Sequence, residues 1–371
     1  RKRDAFHLKN IAVKPGEKWN GELELANGEL KFPTTVFHGH GTGKTMLITA
    51  GVHAGEYVGI QAAIELSQKL KIEKVTGTII IVKVLNRPAF EARNGSMGLA
   101  DAKNLNREFP GNPDGTEMER LAWAVSQELQ PGADLYIDLH SGDDYEKLTP
   151  YVYYAGAAPE DVVKVSREMA EQVDVPYMVK SNVASGGSYN YAASQGIPSI
   201  LIERGGMGDW NYEEVRSTRR DVRNILCHMG IYQGLKDFRT YYPLEVADVR
   251  YQDAEENGLW YPFKKVGDMI QEGNIALMVA LKEIPKEKDE EEILEQVRAG
   301  MMASLESQTE VKRRDHKMVE KVTELDEAIK SMKEEYGRKV SVDEVAERLG
   351  ISEDEIEDIL KLAGEEVKDE E

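Results

Sequence analysis

Short apolar runs alternate with amphipathic stretches between about residues 45 and 235. The runs TMLITAGV, GTIIIVKVLN, ADLYIDLHS, PYVYYAG and SILIERGG are typical of buried strands. The stretches 56–70, 116–130, 159–173 and 211–235 have the apolar spacing of helices. Strands that alternate with helices predict an α/β fold with a mostly parallel sheet covered on both faces. Ligands bind such sheets at the carboxyl ends of the strands.

The pattern changes twice in the rest of the chain. Residues 241–273 contain short β-like pieces and turn residues, which predict the start of a small β-rich domain. From residue 274 onward the chain becomes a series of long, charged helical stretches. We therefore predict three segments: an α/β domain over 1–240, a short β-rich segment over 241–273 and an all-α tail over 274–371.

The end of the tail has the pattern of a helix-turn-helix. Ser341 is placed to cap a helix on which Val342, Val345 and Leu349 share one face. Gly350 can make the turn, and Ser352 can cap the next helix. That second helix, EDEIEDILKLAGEEV, is acidic, so it is poorly suited to a groove lined with phosphates. The tail is either a plain helical appendage or a surface for a protein partner.

The overall charge of the chain argues against two classes of binding partner. The chain of 371 residues has 67 acidic and 47 basic residues and a formal net charge of -20. This balance argues against binding to nucleic acid or to an anionic membrane surface, because both require a basic footprint. Cys227 is the single cysteine, so an intrachain disulfide is excluded, and no apolar run has the length of a membrane span. We expect a cytoplasmic protein.

Candidate metal ligands follow two of the predicted strands. His53 and Glu56 lie in the loop HAGE directly after the first apolar run, and His140 ends the run ADLYIDLHS. Two histidines and one glutamate form an established catalytic zinc set, which leaves one position for water. Asp138, two residues before His140, is a candidate to orient an imidazole. The alternative is a surface histidine beside a helix-capping glutamate.

Three further polar residues complete a catalytic set. Glu203 ends the apolar run SILIERGG, and a carboxylate in such a place is unusual unless it is paired or functional. Glu203 is a candidate general base for zinc hydrolysis. Asn106 and Arg107 lie in a loop, where an amide beside a guanidinium suits a substrate carboxylate. The alternatives are an ion pair of Glu203 with Arg204 and a turn capped by Asn106.

The stretch HGHGTGKT, residues 38–45, nearly matches the phosphate-binding loop G-x-x-x-x-G-K-T. His38 replaces its first glycine, and the following residues continue as a strand, whereas a phosphate-binding loop opens a helix. We therefore interpret the glycines as a hairpin turn rather than a nucleotide site.

The motifs HAGE, KNLNREFPG, YIDLHSGD, TPYVYY and GIPSILIERGG resemble those of the succinylglutamate desuccinylase/aspartoacylase family, zinc enzymes related to the carboxypeptidases. The resemblance extends over about residues 5–273. It implies a zinc carboxypeptidase-like α/β/α sandwich, followed by a small β-rich domain, with one zinc ion (Zn2+) per chain. The implied roles are metal ligands for His53, Glu56 and His140, a catalytic carboxylate for Glu203 and substrate-carboxylate binding for Asn106 and Arg107.

The same resemblance implies an arginine that polarises the scissile carbonyl. Arg93 is the best match in this chain, although some relatives carry an arginine where this chain has Gly95. Relatives would also continue with β strands after VGDMIQEG, whereas this chain becomes helical. Its stretches DMIQEGNIALMVALK and GRKVSVDEVAERLGISEDEIEDIL resemble parts of bacterial sigma factors. A composite chain and a natural fusion both account for this change.

The resemblance and the residues together predict a zinc-dependent deacylase that hydrolyses an N-acyl amino acid or a related carboxylate. The alternatives are a carboxypeptidase-like peptide hydrolase and a transcription-linked binding protein with an inactive hydrolase domain. The candidate partners are a small N-acyl substrate, a protein that contacts the helical tail and further copies of the chain in a homo-oligomer. Neither a membrane nor a nucleic acid is expected among them.

Overall fold

The structure is a computed structural model, and it describes residues 4–144, 146–246, 249, 297–299, 302, 325, 327–338, 340–351 and 356. The chain divides into two compact units, Arg1–Tyr251 and Gln252–Glu371.

One mixed sheet organises the first unit. Its nine strands in the described residues are β3 (Glu17–Leu25), β4 (Leu30–His38), β5 (Thr45–Ala50), β6 (Thr78–Val82), β7 (Leu135–His140), β8 (Tyr151–Ala155), β9 (Tyr177–Ser181), β10 (Ser199–Glu203) and β11 (Leu244–Val246). They lie in the order β11-β9-β8-β10-β7-β5-β6-β4-β3. The strands β1 (Phe6–Leu8) and β2 (Ile11–Val13) form a separate antiparallel pair.

The centre of the sheet is parallel and buried. Strand β5 pairs in parallel with both β6 and β7, and β7 pairs in parallel with β10. Every residue of β6 and of β7 is buried, which explains why these segments are runs of apolar residues rather than an alternation. Antiparallel pairs join β10 to β8 and β6 to β4, so the sheet is mostly parallel but not entirely so.

Helices cover both faces of the sheet. Their bounds are α1 (Tyr57–Lys69), α2 (Arg87–Glu91), α3 (Glu117–Ala124), α4 (Glu160–Ala170), α5 (Ser188–Ser194) and α6 (Tyr212–His228). Apolar residues of α1 and α6 pack into one core cluster with the sheet, and those of α3 and α5 pack into a second cluster. A reciprocal bond pair between Thr116 and Glu119 caps α3, and Asn211 caps α6. The predicted α/β sandwich is thereby confirmed.

Two details differ from the prediction. The antiparallel pair β3–β4 extends the sheet before residue 45, where the sequence pattern gave no strand. The interpretation of HGHGTGKT as a hairpin turn is wrong, because β6 lies between β4 and β5 in the sheet. The glycines there serve a close approach instead, since a Cβ on Gly39 would lie 1.9 Å from the backbone oxygen of Val75.

Strand β11 belongs to the edge of this sheet. It pairs in parallel with β9, and Glu245 accepts a hydrogen bond of 2.5 Å from the hydroxyl of Tyr154 on β8. The first compact unit therefore includes residues just beyond the predicted boundary at 240. The predicted β-rich segment over 241–273 lies outside the described residues from 250 onward, so both its existence and its boundary stay predictions.

The second unit contains a small apolar cluster among its described residues, formed by Leu325, Met332, Val345, Ala346 and Ile356. Residues 327–336 are helical, and α7 spans Val342–Leu349. As predicted, Ser341 caps α7, in a capping box with Glu344, and Gly350 ends the helix with a φ of 67°. Ser352 and the long charged stretches between 274 and 296 lie outside the described residues.

A search of the described helices for one that is both long and apolar enough to cross a membrane finds none.

Candidate active site

Three adjacent strands bring the predicted residues to one edge of the sheet. Strand β7 lies between β5 and β10, and its last residue, His140, is in register with Glu203 at the end of β10. The chain leaves β5 through Gly51, whose φ of 68° turns the backbone towards His53. Glu56 then occupies the N-cap position of α1. The carboxyl-end location is the one expected for a ligand site in such a sheet.

Glu56 lies between the two histidines. Its Oε1 is 2.6 Å from Nδ1 of His53, and its Oε2 is 2.9 Å from Nδ1 of His140. Oε2 also accepts a hydrogen bond of 3.0 Å from the backbone N–H of Ser141. Within the described residues, this is the one place where three such ligand atoms lie within 4.8 Å of one another.

The outer edge of His53 is held by Asn104, a residue that the sequence reasoning did not single out. Nε2 of His53 lies 2.9 Å from Oδ1 of Asn104, and the same oxygen accepts from the backbone N–H of Asn106. A backbone N–H can only donate, so the atom facing His53 is the amide oxygen. Nε2 of His53 therefore carries the proton in this bond, and Nδ1 faces Glu56.

The outer edge of His140 faces Asp138, as the sequence suggested. The Nε2 of His140 and the Oδ2 of Asp138 are 3.1 Å apart, although they are not aligned for a hydrogen bond and neither atom has another partner in the described residues. Both side chains are almost fully buried, at 2% and 0% exposure. Each histidine thus has an oxygen behind it and presents Nδ1 to the centre, which is the arrangement that orients imidazole ligands in metal sites.

Electrostatics in this cluster are strongly coupled. Burial opposes the charge on Glu56, but His140 and His53 outweigh burial and lower the pKa of Glu56 to about 2. Burial also opposes the charge on His140, yet Glu56 and Asp138 raise the pKa of its imidazole well above the ordinary value.

The residues present fit a zinc ion. Two imidazole nitrogens and a carboxylate converge on one centre, and such nitrogen and oxygen ligands are those that zinc binds in catalytic sites. Each imidazole would bind a metal ion through a deprotonated Nδ1, the atom that faces Glu56, because ligands bind metals in their deprotonated form.

Glu203 lies beside this cluster without a partner. Its Oε2 is buried and has no hydrogen-bond partner among the described residues. Burial, followed by the charge of Glu56, raises the pKa of Glu203 well above its ordinary value. The alternative pair with Arg204 does not form, since Arg204 Nε donates to Asp221 at 2.7 Å. Alternation along the strand directs these two neighbours to opposite faces.

Asn106 and Arg107 lie in a 3-10 turn (Leu105–Arg107) that faces the same cavity. The side chain of Asn104, not that of Asn106, caps this turn. Oδ1 of Asn106 accepts a hydrogen bond of 2.9 Å from the backbone N–H of Ser188, which fixes the amide against the start of α5. The Nη1 of Arg107 donates to the backbone oxygen of Asn106 at 2.9 Å, so one edge of its guanidinium is already bound.

The cavity at this edge has a volume of about 610 Å³. Six of the seven predicted site residues line it, namely His53, Glu56, Asn106, Arg107, His140 and Glu203. Arg93 is exposed and does not belong to the lining, so its predicted role stays a prediction without a contact. A larger groove of about 730 Å³ lies elsewhere, between β4 and α3, and contains none of the predicted site residues.

Charge is unevenly distributed around the cavity. Arg107 is the single arginine or lysine in the described lining, whereas Asp143 and Glu146 add two carboxylates to those of Glu56 and Glu203. Neither Asp143 nor Glu146 forms an ion pair with a described residue. Burial raises the pKa of Asp143, and the neighbouring charges of Asp144 and Glu56 raise it further, against the lowering effect of its hydrogen bond with Asp144. The sequence reasoning gave no role to this acidic wall, although Asp143 ends the motif YIDLHSGD, because only the fold brings Glu146 and Asp143 to the cavity.

Two family models match separate parts of this chain. Residues 42–229 match the family model of the succinylglutamate desuccinylase/aspartoacylase catalytic domain, and residues 320–367 match the model of sigma-70 region 3. A similar characterised protein is the N-α-acetyl-L-2,4-diaminobutyric acid deacetylase of Halomonas elongata. It is 33% identical over 69% of this chain and 76% of its own length.

Two solved structures are also similar to this chain. A product-bound structure of the ectoine utilization protein EutE from Ruegeria pomeroyi is 31% identical, with a TM-score of 0.57 over 66% of this chain and 74% of that one. The crystal structure of a succinylglutamate desuccinylase from a Silicibacter species is 29% identical, with a TM-score of 0.55 over 65% of this chain and 71% of that one. By the match over its catalytic domain, this chain belongs to the succinylglutamate desuccinylase/aspartoacylase family of amide hydrolases.

Proposed function

We propose that the chain is a zinc-dependent deacylase that hydrolyses the amide bond of an N-acyl amino acid. The observation that carries the proposal is the convergence of His53, Glu56 and His140 beside Glu203, whose buried Oε2 has no hydrogen-bond partner among the described residues. Zinc at this position would supply Lewis-acid polarisation of the scissile carbonyl and of the attacking water.

The protein's own residues account for proton transfer and orientation. Glu203 takes the proton of the attacking water and passes it to the leaving amine. A raised pKa suits both steps, because the group must accept and then release a proton near neutral pH. Asn106 and Arg107 hold the carboxylate of the amino acid, which places the amide bond between them and Glu203.

The charges of the cavity support a particular kind of amino acid. One guanidinium in the described lining suits one substrate carboxylate, and the wall of Asp143 and Glu146 disfavours a second one. The compound in the name of the Halomonas relative, N-α-acetyl-L-2,4-diaminobutyric acid, has one carboxylate and one free amine. We therefore place neutral and cationic N-acetyl amino acids ahead of N-acetyl dicarboxylates as substrates.

A matched substrate series tests this function. Nα-acetyl-2,4-diaminobutyrate, N-acetylnorvaline and N-acetylglutamate have side chains of similar length that are cationic, neutral and anionic. We expect hydrolysis in that order of kcat/KM, with activity lost to a zinc chelator and restored by added zinc. The variant His140→Ala should lose most of its bound zinc in metal analysis.

Activity that survives complete removal of zinc, or full zinc occupancy in His140→Ala, would contradict the metal assignment. A preference for peptides with a free carboxyl terminus over all three compounds would instead favour carboxypeptidase-like cleavage.

A further inference from the structure

A series of buried hydrogen bonds begins at Asp138, which faces His140, and connects residues that do not line the cavity. Asp138 Oδ1 accepts a bond of 2.6 Å from the hydroxyl of Thr49. The Thr49 hydroxyl lies 2.7 Å from the hydroxyl of Tyr136, which in turn lies 2.7 Å from the hydroxyl of Ser188. Thr49, Tyr136, Asp138 and Ser188 are all 0% exposed, so water does not compete for these bonds.

The hydroxyl protons in this series of hydrogen bonds all point towards Asp138. A hydroxyl has one proton, and that of Thr49 is donated to Asp138. The bond between Thr49 and Tyr136 must therefore use the proton of Tyr136, and the oxygen of Tyr136 then accepts from Ser188. The oxygen of Ser188 in turn accepts from the amide Nε2 of Gln130 at 3.1 Å. Every donor is oriented towards the carboxylate of Asp138.

The orientation of these donors affects His140, the predicted metal ligand, through Asp138. Asp138 receives a proton donor at Oδ1, and its Oδ2 faces Nε2 of His140 at 3.1 Å. The negative charge of this carboxylate lies 3.1 Å from Nε2 and favours, by charge rather than by an aligned hydrogen bond, the form of His140 with its proton on Nε2. Nδ1, the atom that faces Glu56, is then the nitrogen left for a metal ion.

The other end of this series of hydrogen bonds, at Ser188, reaches the opposite side of the site. The backbone N–H of Ser188 donates to Oδ1 of Asn106, the residue predicted to bind the substrate carboxylate. The hydroxyl and the backbone of one buried serine thus link the two predicted halves of the active site.

We propose that Thr49 and Tyr136 are positioning residues that set which nitrogen of His140 is available to zinc. This proposal rests on the metal site of the proposed function. It concerns residues on β5 and β7 that do not line the cavity and have no role implied by the resemblance, although Tyr136 begins the motif YIDLHSGD.

Zinc affinity of the full-length chain, measured by competition with a chromophoric chelator, tests the proposal without reference to turnover. Thr49→Val keeps the shape of the side chain but removes the donor, and we expect zinc to bind on the order of tenfold more weakly, as for other outer-shell partners of metal ligands. Thr49→Ser keeps the hydroxyl and should retain most of the affinity. Tyr136→Phe should weaken zinc by less than Thr49→Val.

Tyr154→Phe is the matched control for Tyr136→Phe. Tyr154 is also buried in the sheet, on β8, but its hydroxyl donates to Glu245 rather than towards Asp138. Both changes remove one buried hydroxyl, so both should lower thermal stability, whereas only Tyr136→Phe should weaken zinc binding.

Equal losses of zinc affinity in Thr49→Val and Thr49→Ser, or in Tyr136→Phe and Tyr154→Phe, would overturn the positioning role alone. A wild-type chain that binds no zinc would overturn the proposed metal site and this inference with it.

Discussion

At the scale of single residues, the site depends on which atoms can donate a hydrogen bond. Asn104 can present only its oxygen to His53, because the same atom accepts the N–H of Asn106. Oε2 of Glu203 has no partner in the described part of the chain, and Arg204, the nearest guanidinium in sequence, binds Asp221 instead. Residues that are close in sequence, such as Glu203 and Arg204, thus have different roles because they have different hydrogen-bond partners.

Glu203→Gln tests the assignment of the general base. The amide keeps the shape of the side chain but cannot take a proton, so turnover of an N-acetyl amino acid should fall by a factor on the order of 10² or more. Zinc content, measured on the same sample, should stay near that of the wild type.

Glu245→Gln makes the same chemical change on β11, outside the cavity lining, and serves as the control. Near-normal turnover in Glu203→Gln would show that another group acts as the base.

At the scale of elements, helix α1 and strand β7 approach each other closely beside the site. A Cβ on Gly59 would lie 2.8 Å from the backbone oxygen of Leu139, the residue before His140. The absence of a side chain at Gly59 allows α1 to lie against the end of β7. That contact places Glu56, at the start of α1, within 2.9 Å of His140.

Helix α1 also contacts α6, and Glu65 forms part of this contact. Oε2 of Glu65 lies 2.6 Å from Nζ of Lys69 on the same helix and 2.9 Å from Nε of Arg219 on α6. Burial opposes the charge on Glu65, but its hydrogen bond with Lys69 and the charge of Arg219 lower its pKa.

This lowered pKa predicts a pH-dependent contribution to stability. A carboxylate with a lower pKa in the folded chain stabilises it above the unfolded value of 4.5, and the contribution is lost as the pH falls through the folded pKa. Glu65→Gln should therefore reduce the free energy of unfolding by about 1 kcal/mol at neutral pH. The difference from the wild type should shrink below pH 4.5, as measured by denaturant unfolding.

A double-mutant cycle with Arg219→Gln provides the control for this contact. If Glu65→Gln has the same effect at every pH, the loss comes from packing rather than from charge.

At the scale of the whole molecule, the chain combines two units that match unrelated family models. All predicted catalytic residues lie in the first unit, and the described part of the second unit has its own apolar cluster around Val345. We therefore expect the tail to make no contribution to hydrolysis.

Val345→Asp tests this independence in the full-length chain. Val345 is 2% exposed, and a carboxylate there costs several kcal/mol without a partner, so the second unit should lose its packing. Zinc content and deacylase turnover should remain within about twofold of the wild type, because the predicted catalytic residues all lie in the first unit. A twofold change in turnover corresponds to less than 1 kcal/mol of activation free energy.

Arg348→Asp introduces the same side chain on the exposed face of α7, and because it removes a positive charge as well as adding a negative one, it is a stringent control for the added negative charge. Loss of turnover in Val345→Asp with zinc retained would show that the tail takes part in the active site.

The sequence alone determined the features that depend on neighbours along the chain. Continuous apolar runs predicted the buried strands β5, β6, β7 and β10, because a strand with both faces covered needs apolar residues at every position. The spacing of His53 and Glu56 after one strand, and of His140 and Glu203 at the ends of others, was enough to predict that they meet.

Only the tertiary structure decided the features that depend on residues far apart in sequence. Asn104 is 51 positions from His53, and Thr49 is 89 positions from Asp138, so their bonds exist only once the strand register is fixed. The direction of Arg204 and the place of β11 in the sheet likewise depend on packing partners that local periodicity does not specify. Local patterns select the elements, whereas the pairing of distant strands selects which polar atoms meet and therefore which nitrogen of a histidine faces the centre of the site.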